Sequence, residues 1–235
     1  MSAVVIIPTY NERNNLTELT ERLMALGLGL QVLFIDDGSP DGTGELAQDL
    51  ARKWPAVSLI QRGRKLGFGS ALVTGYRAAL ERDHSLVLQM DADLSHDPAA
   101  VPALIEAAAN CDLVLGSRYA DGIRVIDWEM RRIFLSRLAN GYARTVTGLP
   151  FHDITTGYRC FRREALKSLH LDRLKANGYG LQIEVAYRIW KAGGRVSEVP
   201  IIFYGRKKGV SKMTWSMIVE AVFLVWRLRF TARRL

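Results

Sequence analysis

Leu86-Val87-Leu88-Gln89-Met90-Asp91-Ala92-Asp93-Leu94-Ser95-His96 is the stretch that decides how this chain is read. Its first five residues, mostly apolar and rich in Leu and Val, read as a short buried strand. The strand runs straight into two carboxylates spaced i, i+2. At the carboxyl end of a buried strand in an α/β sheet, charged groups meet a ligand crevice rather than the core. Two carboxylates that close repel each other unless a cation joins them, and their hard oxygens suit Mg²⁺ or Mn²⁺. A polar strand-to-loop junction has the same look, and Asp-x-Asp alone does not separate the two.

Upstream, Val4-Val5-Ile6-Ile7 is a second apolar run, ended by Pro8-Thr9-Tyr10-Asn11-Glu12. A helix follows with Leu16, Leu19, Leu23 and Leu26 at helical spacing, Asn14 or Asn15 as its N-cap, and Gly27 and Gly29 beyond its end. A strand over 31–35 leads into Asp36-Asp37-Gly38-Ser39-Pro40-Asp41-Gly42-Thr43, dense in turn formers. Helices over 44–54 and up to residue 82 then bracket a strand over 57–61. Downstream of the opening stretch come a helix over 101–110 and a strand ending in Gly116-Ser117-Arg118. This alternation predicts an α/β fold, a mostly parallel sheet with helices on both faces. In such sheets the ligand lies beyond the carboxyl ends of the strands. Residues 8–12, 36–41 and 91–93 therefore converge on one crevice.

The second half carries cations. Residues 1–117 hold 9 Lys/Arg against 15 Asp/Glu, a net −6, and residues 118–235 hold 23 against 9, a net +14. Metal on one side and anions on the other would explain the split. Nucleic acid is not the expected anion, because no zinc finger, RNP-like signature or single basic recognition helix is present. Phosphorylated small molecules or an anionic membrane surface fit better. A helix over 130–147 should turn Ile133, Phe134, Leu138 and Tyr142 to the apolar side, and it carries Arg132 and Ser136 on one face at i, i+4. That pair can hold a phosphate or simply be solvated. Val196 through Phe203 reads as a strand whose Pro200 marks an edge or a bulge. It runs into Arg206-Lys207-Lys208-Gly209-Val210-Ser211-Lys212, which reads as a phosphate clamp or a solvated basic loop.

Other classes drop out. Gly67-Phe68-Gly69 supplies two glycines of a dinucleotide fingerprint, but Leu72 stands where the third belongs. Cys111 and Cys160 lie far apart with no C-x-x-C, so neither a disulfide framework nor a zinc site is suggested. His152 has no partner at metal spacing and reads as structural or surface. Met1-Ser2-Ala3 runs directly into the first strand with no basic n-region, so no secretory signal is expected.

Taken together and in order, these motifs resemble the family 2 inverting glycosyltransferases of GT-A (Rossmann-like) fold, and more narrowly the polyprenol (dolichyl) phosphate mannose synthases. The matching pieces are Ile7-Pro8-Thr9-Tyr10-Asn11-Glu12, Ile35 through Thr43, Met90 through Pro98, Gly116-Ser117-Arg118-Tyr119, Asp153-Ile154-Thr155-Thr156-Gly157-Tyr158-Arg159, and Arg206 through Lys212. The resemblance implies mannose transfer from GDP-mannose to a polyprenyl phosphate, with inversion. It implies a donor site of Pro8, Tyr10, Glu12, Ile35, Asp37, Asp91, Ala92, Asp93, Arg118, Arg206 and Lys212. Mg²⁺ or Mn²⁺ would be held by Asp93 and Asp91, with Ser95 at a further position of the metal shell. The acceptor phosphate would meet Arg118, Arg132 and Ser136, and Asp93, Asp91 and Arg118 would carry the catalysis. A lipid monophosphate is already anionic near neutral pH, so a strong general base is less needed.

The implied organisation is a catalytic domain over 1–212 and an apolar-basic C-terminal helical segment over 213–235. Many relatives continue into transmembrane helices, whereas this chain stops after an apolar run too short to span a bilayer. The segment suits an interfacial, amphipathic helix on anionic lipid, or simple packing on the core. The expectation is a cytoplasmic enzyme, peripheral on the cytoplasmic face of a membrane or assisted by a small membrane-anchoring subunit. Two rivals remain: a sibling using UDP-glucose or another nucleotide sugar, and a non-catalytic subunit that binds nucleotide sugar or lipid phosphate.

Overall fold

A computed structural model of the chain describes residues 2–174, 176, 178, 180–205 and 215–231, the side chains of 215–221 and 231 excepted. Three parallel strands set the frame: β1 (Ala3–Thr9), β2 (Gln31–Asp36) and β3 (Val57–Gln61). Helices α1 (Arg13–Ala25), α2 (Thr43–Lys53) and α3 (Phe68–Glu81) follow them in turn. Next come β4 (Leu86–Gln89), a 3₁₀ turn (Pro98–Ala100) running into α4 (Val101–Ala107), and β5 (Leu113–Ser117). The remaining elements are β6 (Val125–Ile126), α5 (Met130–Thr147), β7 (Arg159–Arg162), α6 (Arg163–Ser168), α7 (Gly180–Lys191), β8 (Val196–Pro200), β9 (Phe203–Tyr204) and α8 (Trp215–Thr231).

Seven strands form one sheet in the order β3-β2-β1-β4-β7-β5-β8, and only β7 runs antiparallel to its neighbours. Successive residues of β1 enter opposite cores. Val4 and Ile6 join α3, α5, α7 and α8 on one face, while Val5 and Ile7 join α1, α2 and α4 on the other. Both faces being covered, the strands show no polar alternation and read as unbroken apolar runs. Each such side chain, fully buried, contributes about 1.5–3 kcal/mol. Helix α3 approaches closely because Gly75 has no side chain: a Cβ there would stand 2.4 Å from Ile6 Cγ2 and 2.9 Å from Ile35 Cδ1.

The carboxyl ends of β1, β2 and β4 open side by side. Pairing of β1 with β4 ends at Ile6–Gln89, whereas pairing with β2 continues to Thr9–Asp36. Ile6 C=O accepts from Met90 N–H on the β4 side, and Thr9 C=O accepts from Asp37 N–H on the β2 side. Pro8 therefore faces β4 beyond the end of their pairing, and its missing N–H removes no ladder bond. Two arginines then cap helices on opposite faces. Arg162 donates to Ala108 and Ala109 carbonyls behind α4, and Arg163 donates to Leu80 and Arg82 carbonyls behind α3. A guanidinium at a helix C-terminus meets both the orphan carbonyls and the dipole.

Three local expectations shift. Helix α1 starts at Arg13 with Glu12 as N-cap, and Asn15 lies inside it, its backbone and side-chain N–H groups both donating back to Glu12. The strand expected to run to Phe203 divides at Pro200 into β8, the sheet's edge, and β9, which pairs with β6. Phe134 and Leu138, expected on the core side of α5, are 63% and 53% exposed. The helix buries Ile133 as expected, and with it Asn140, Ala143, Val146 and Thr147. Asn140 turns inward because its amide bonds Thr155 at 3.1 Å and Ser136 C=O at 3.1 Å, and that rotation carries Phe134 and Leu138 outward.

Candidate active site

The first loop is fixed by the second. Asn11, at φ 56°, donates its N–H to Ser39 Oγ, and Glu12 N–H donates to Thr43 Oγ1 at 2.9 Å. Asp36 accepts from Thr9, Ser39 and the Gly38 N–H, which folds 36–39 back on the strand ends. Asp41 accepts from Thr43 and from Arg13 N–H; burial opposes its ionisation, but these hydrogen bonds outweigh it and hold the carboxyl below its ordinary range. Gly38 (φ +69°) has no space for a side chain, since a Cβ would lie 2.9 Å from Arg64 N.

Asp37 is buried, and its carboxylate organises the next loop. Oδ2 accepts from Leu66 and Gly67 N–H at 3.2 and 3.0 Å, and Oδ1 pairs with Arg62 at 3.1 Å. The loop so closed carries Lys65 over the Tyr10 ring, 4.1 Å from its centroid. Pro8, Tyr10, Glu12 and Asp37 thus come together at one rim. Ile35 and Ala92 adjoin these residues in sequence, but their side chains are buried in the core.

At the end of β4, Asp93 is 5% exposed, and its Oδ1 accepts from Ser95 N–H at 3.1 Å and Ser95 Oγ at 2.5 Å. Leu94 makes that turn at φ 62°. Ser95 thus braces Asp93, with its hydroxyl proton directed at the carboxylate. Asp91 N–H donates to His96 Nδ1 at 3.0 Å. His96 is buried, stacked on Tyr158 and edge-on to Phe203, and burial pushes its pKa down to about 4. It is a neutral acceptor that pins the Asp-x-Asp turn. Gly157 lets the next loop close against it, for a Cβ there would sit 3.3 Å from Asp91 Oδ1.

Arg118 faces this pair from the end of β5. Nε and Nη2 donate to Asp153 Oδ2 and Oδ1 at 2.6 and 2.7 Å, and Nη2 also reaches Thr155 at 3.0 Å. Burial works against the Arg118 charge, but Asp153 outweighs it and Asp91 adds to the effect, so its pKa rises. Asp91 and Arg118 are therefore electrostatically coupled. Arg132 lies over the Trp128 ring at 4.0 Å, Arg118 stands 5.6 Å from the same ring, and Ser136 Oγ accepts from Tyr119 OH at 2.8 Å. The three expected acceptor residues are joined through Trp128 and Tyr119. Arg206 and Lys212 lie outside the described residues.

Among the described residues no cluster of three His, Cys, Asp or Glu side chains could hold a metal alone. Two carboxylates at a strand end suit a hard cation that takes its remaining oxygens from a diphosphate and water. The sequence did not single out Asp153, His96, Trp128 or Phe203 as site residues. Asp153 and His96 lay within stretches that match the family, Asp153 opening one of them, whereas Trp128 and Phe203 had no such signal.

The profile of "Glycosyl transferase family 2" matches residues 4–169. The chain belongs to this family. It is 45% identical over 230 residues to a polyprenol monophosphomannose synthase of Mycolicibacterium smegmatis, covering 96% of this chain and 87% of that one. It is 40% identical to an undecaprenyl-phosphate mannosyltransferase of Micrococcus luteus, covering 99% and 96%. A dolichol-phosphate mannosyltransferase of Pyrococcus furiosus is 37% identical, covering 97% of this chain and 64% of that protein. Among solved structures, glucosyl-3-phosphoglycerate synthase of Mycobacterium tuberculosis, crystallised with Mn²⁺, UDP-glucose and phosphoglyceric acid, superposes with a TM-score of 0.74. That match has 18% identity and covers 97% of this chain and 80% of that one, so it concerns the GT-A fold.

Proposed function

We propose that this glycosyltransferase moves mannose from GDP-mannose to the phosphate of a polyprenyl (dolichyl) phosphate, giving a β-linked polyprenyl phosphate mannose. The observation that carries the reading is the two-point ion pair that locks Arg118 on Asp153, with Arg132 held over the Trp128 ring that Arg118 also approaches. On this reading the carboxylates of Asp91 and Asp93 and the guanidinium groups of Arg118 and Arg132 serve one crevice, and the relatives named above are polyprenyl-phosphate mannose transferases by name.

On this reading Tyr10, Glu12, Asp37 and the backbone at Pro8, Ile35 and Ala92 take the nucleotide, and Arg206 and Lys212 complete the donor contacts. Asp93 and Asp91 hold Mg²⁺ or Mn²⁺, which supplies Lewis-acid neutralisation of the leaving diphosphate. Arg118, through the Nη1 amino group that its ion pair does not engage, joins Arg132 and Ser136 in holding the acceptor phosphate in line with the anomeric carbon. The two guanidinium groups offset the repulsion between incoming and departing phosphates.

The exposed side chains of α5 and α8 suit membrane attachment. Among the described residues no helix is long and apolar enough to cross a membrane. Helix α8 buries Leu224, Val225 and Leu228 on the core and leaves Phe223, Trp226 and Phe230 exposed, beside Arg227 and Arg229. Met130, Phe134, Leu135 and Leu138 of α5 are exposed as well. We read the chain as a peripheral enzyme on the anionic cytoplasmic face of a membrane, with core packing and interfacial contact served by opposite sides of α8.

The deciding experiment incubates the protein with Mn²⁺ or Mg²⁺, undecaprenyl phosphate and either GDP-mannose or UDP-glucose. Transfer from GDP-mannose is expected. Transfer from UDP-glucose alone moves the assignment to the sibling enzyme, and transfer from neither favours a binding subunit.

A further inference from the structure

We infer that Trp128 is a positioning residue for the acceptor phosphate: its indole fixes the spacing of Arg118 and Arg132 so that both guanidinium groups close on one phosphate. The inference rests on the acceptor reading above and adds a residue to it.

Two guanidinium groups brought near each other repel, and an arginine side chain has many rotamers to escape into. Arg118 has no such freedom, because Asp153 and Thr155 hold Nε and Nη2 from behind. Arg132 is placed by the indole, its Cζ 4.0 Å from the ring centroid, with Arg118 at 5.6 Å from the same ring. The negative quadrupole of an indole attracts a cation lying over its ring, and the Tyr119 and Phe203 rings, each 5.3 Å from Arg118 Cζ, add to this aromatic surround. The spacing of the two charges is then set by a rigid ring before any phosphate arrives. Ordering that is already done is not charged against binding.

The indole is itself held by backbone geometry. Asp127 precedes it at φ 58°, and Gly205 N–H donates to Ile126 C=O at 2.7 Å. Residue 205 must be glycine for this approach, since a Cβ would stand 2.5 Å from Asp127 O. Phe203, paired with Val125 in the β6–β9 ladder, meets the indole edge-on at 5.2 Å. Trp128 Nε1 is buried with no hydrogen-bond partner among the described residues, so ring contacts rather than a polar anchor hold it. Phe203 also meets His96, which keeps the donor-side turn one ring removed from Trp128. Loss of the indole should therefore be felt by the acceptor and not by the nucleotide.

Trp128→Leu and Trp128→Phe separate this from a general structural role. Calorimetric titration with farnesyl phosphate, a soluble polyprenyl monophosphate, should show about tenfold weaker binding for Trp128→Leu and about threefold for Trp128→Phe. Binding of GDP with Mn²⁺ should stay within twofold in both. In turnover the acceptor KM should rise while kcat at saturating acceptor changes less. Farnesyl phosphate binding within twofold of wild type in Trp128→Leu overturns the inference, as does an equal loss of farnesyl phosphate and GDP. If Trp128→Leu fails to melt cooperatively, Trp128→Phe decides, and wild-type acceptor affinity there counts against the role. A wild-type protein that binds no farnesyl phosphate removes the acceptor reading itself, whereas retained binding in the variants removes only the part assigned to Trp128.

Discussion

Arg118 and Asp153 are joined by two parallel hydrogen bonds, and Asp153 Oδ2 also accepts the Arg118 backbone N–H at 3.0 Å. The carboxylate thus fixes both the strand end and the side chain it presents. Asp153 is held in turn: its own N–H and that of His152 donate to the two oxygens of Glu198 on β8, at 2.9 and 2.8 Å. Burial alone would raise the Asp153 pKa, but Arg118 and the hydrogen bonds outweigh it, and the carboxyl lies below its usual value.

Asp153→Ala leaves a buried guanidinium without its counter-charge, a change that costs about 3–5 kcal/mol. For a chain of this size the melting temperature should fall by roughly 10 °C. Because the folded pKa is depressed, the contribution is present above the unfolded value of about 3.9 and lost as pH drops through the lower folded value. Thermal melts of wild type and variant should differ fully at pH 7 and draw together below about pH 4. A gap that persists unchanged at pH 2.5 contradicts the ion-pair account.

Asp93 and Ser95 should separate by degree. Asp93→Ala removes a carboxylate at the diphosphate and should lower kcat by about 10²–10³-fold. Ser95→Ala removes one of two donors to Asp93 Oδ1 and keeps the backbone one, so a loss of about tenfold or less is expected. Initial rates against Mn²⁺ concentration read both. Equal losses in the two variants would make Ser95 a direct ligand in its own right.

The strand ends were legible from sequence because they depend on local pattern: apolar runs, turn formers and the i, i+2 carboxylates. The partners of those residues were not, because they come from distant segments. Asp153 meets Arg118 across 35 positions, and Phe203 meets His96 from β9. Asp37 looked like a ligand contact, and the structure adds its hold on the backbone of Leu66 and Gly67. Phe134 and Leu138 misled because helical spacing marks an apolar face without saying whether protein covers it. A buried Asn140 was the competing signal, and only its bonds to Thr155 reveal why it wins.

His84, between α3 and β4, predicts a pH effect away from the site. Its ring is buried, and neither nitrogen has a hydrogen-bond partner among the described residues. Burial, then Arg82 and Arg163, lower its pKa, with Asp83 opposing. The unfolded chain therefore takes up the proton first, near pH 6.5, and stability falls from there as pH drops toward the folded value. His84→Leu removes both the titration and the unsatisfied nitrogens. Urea midpoints at pH 7.5 and 5 should fall less in the variant than in wild type, and parallel shifts would exclude His84 as the source.

The exposed aromatic residues give the last prediction. Phe134 on α5 and Phe230 on α8 are 63% and 71% exposed, and Tyr142 OH donates to Val222 C=O where the two helices meet. Neither Phe ring supports the core, so Phe134→Ser with Phe230→Ser should leave the melting temperature nearly unchanged. Withdrawing two aromatic side chains from a lipid interface should weaken vesicle binding by about 100-fold, taking ~1.5 kcal/mol for each. Vesicles containing anionic lipid should bind more tightly than neutral ones, and salt should reduce that difference, because Arg227 and Arg229 flank the aromatic face. Turnover of farnesyl phosphate should survive the double change while turnover of vesicle-borne undecaprenyl phosphate drops. Co-sedimentation and the two acceptor assays read this directly, and equal loss with both acceptors would place the two rings in catalysis rather than at the membrane.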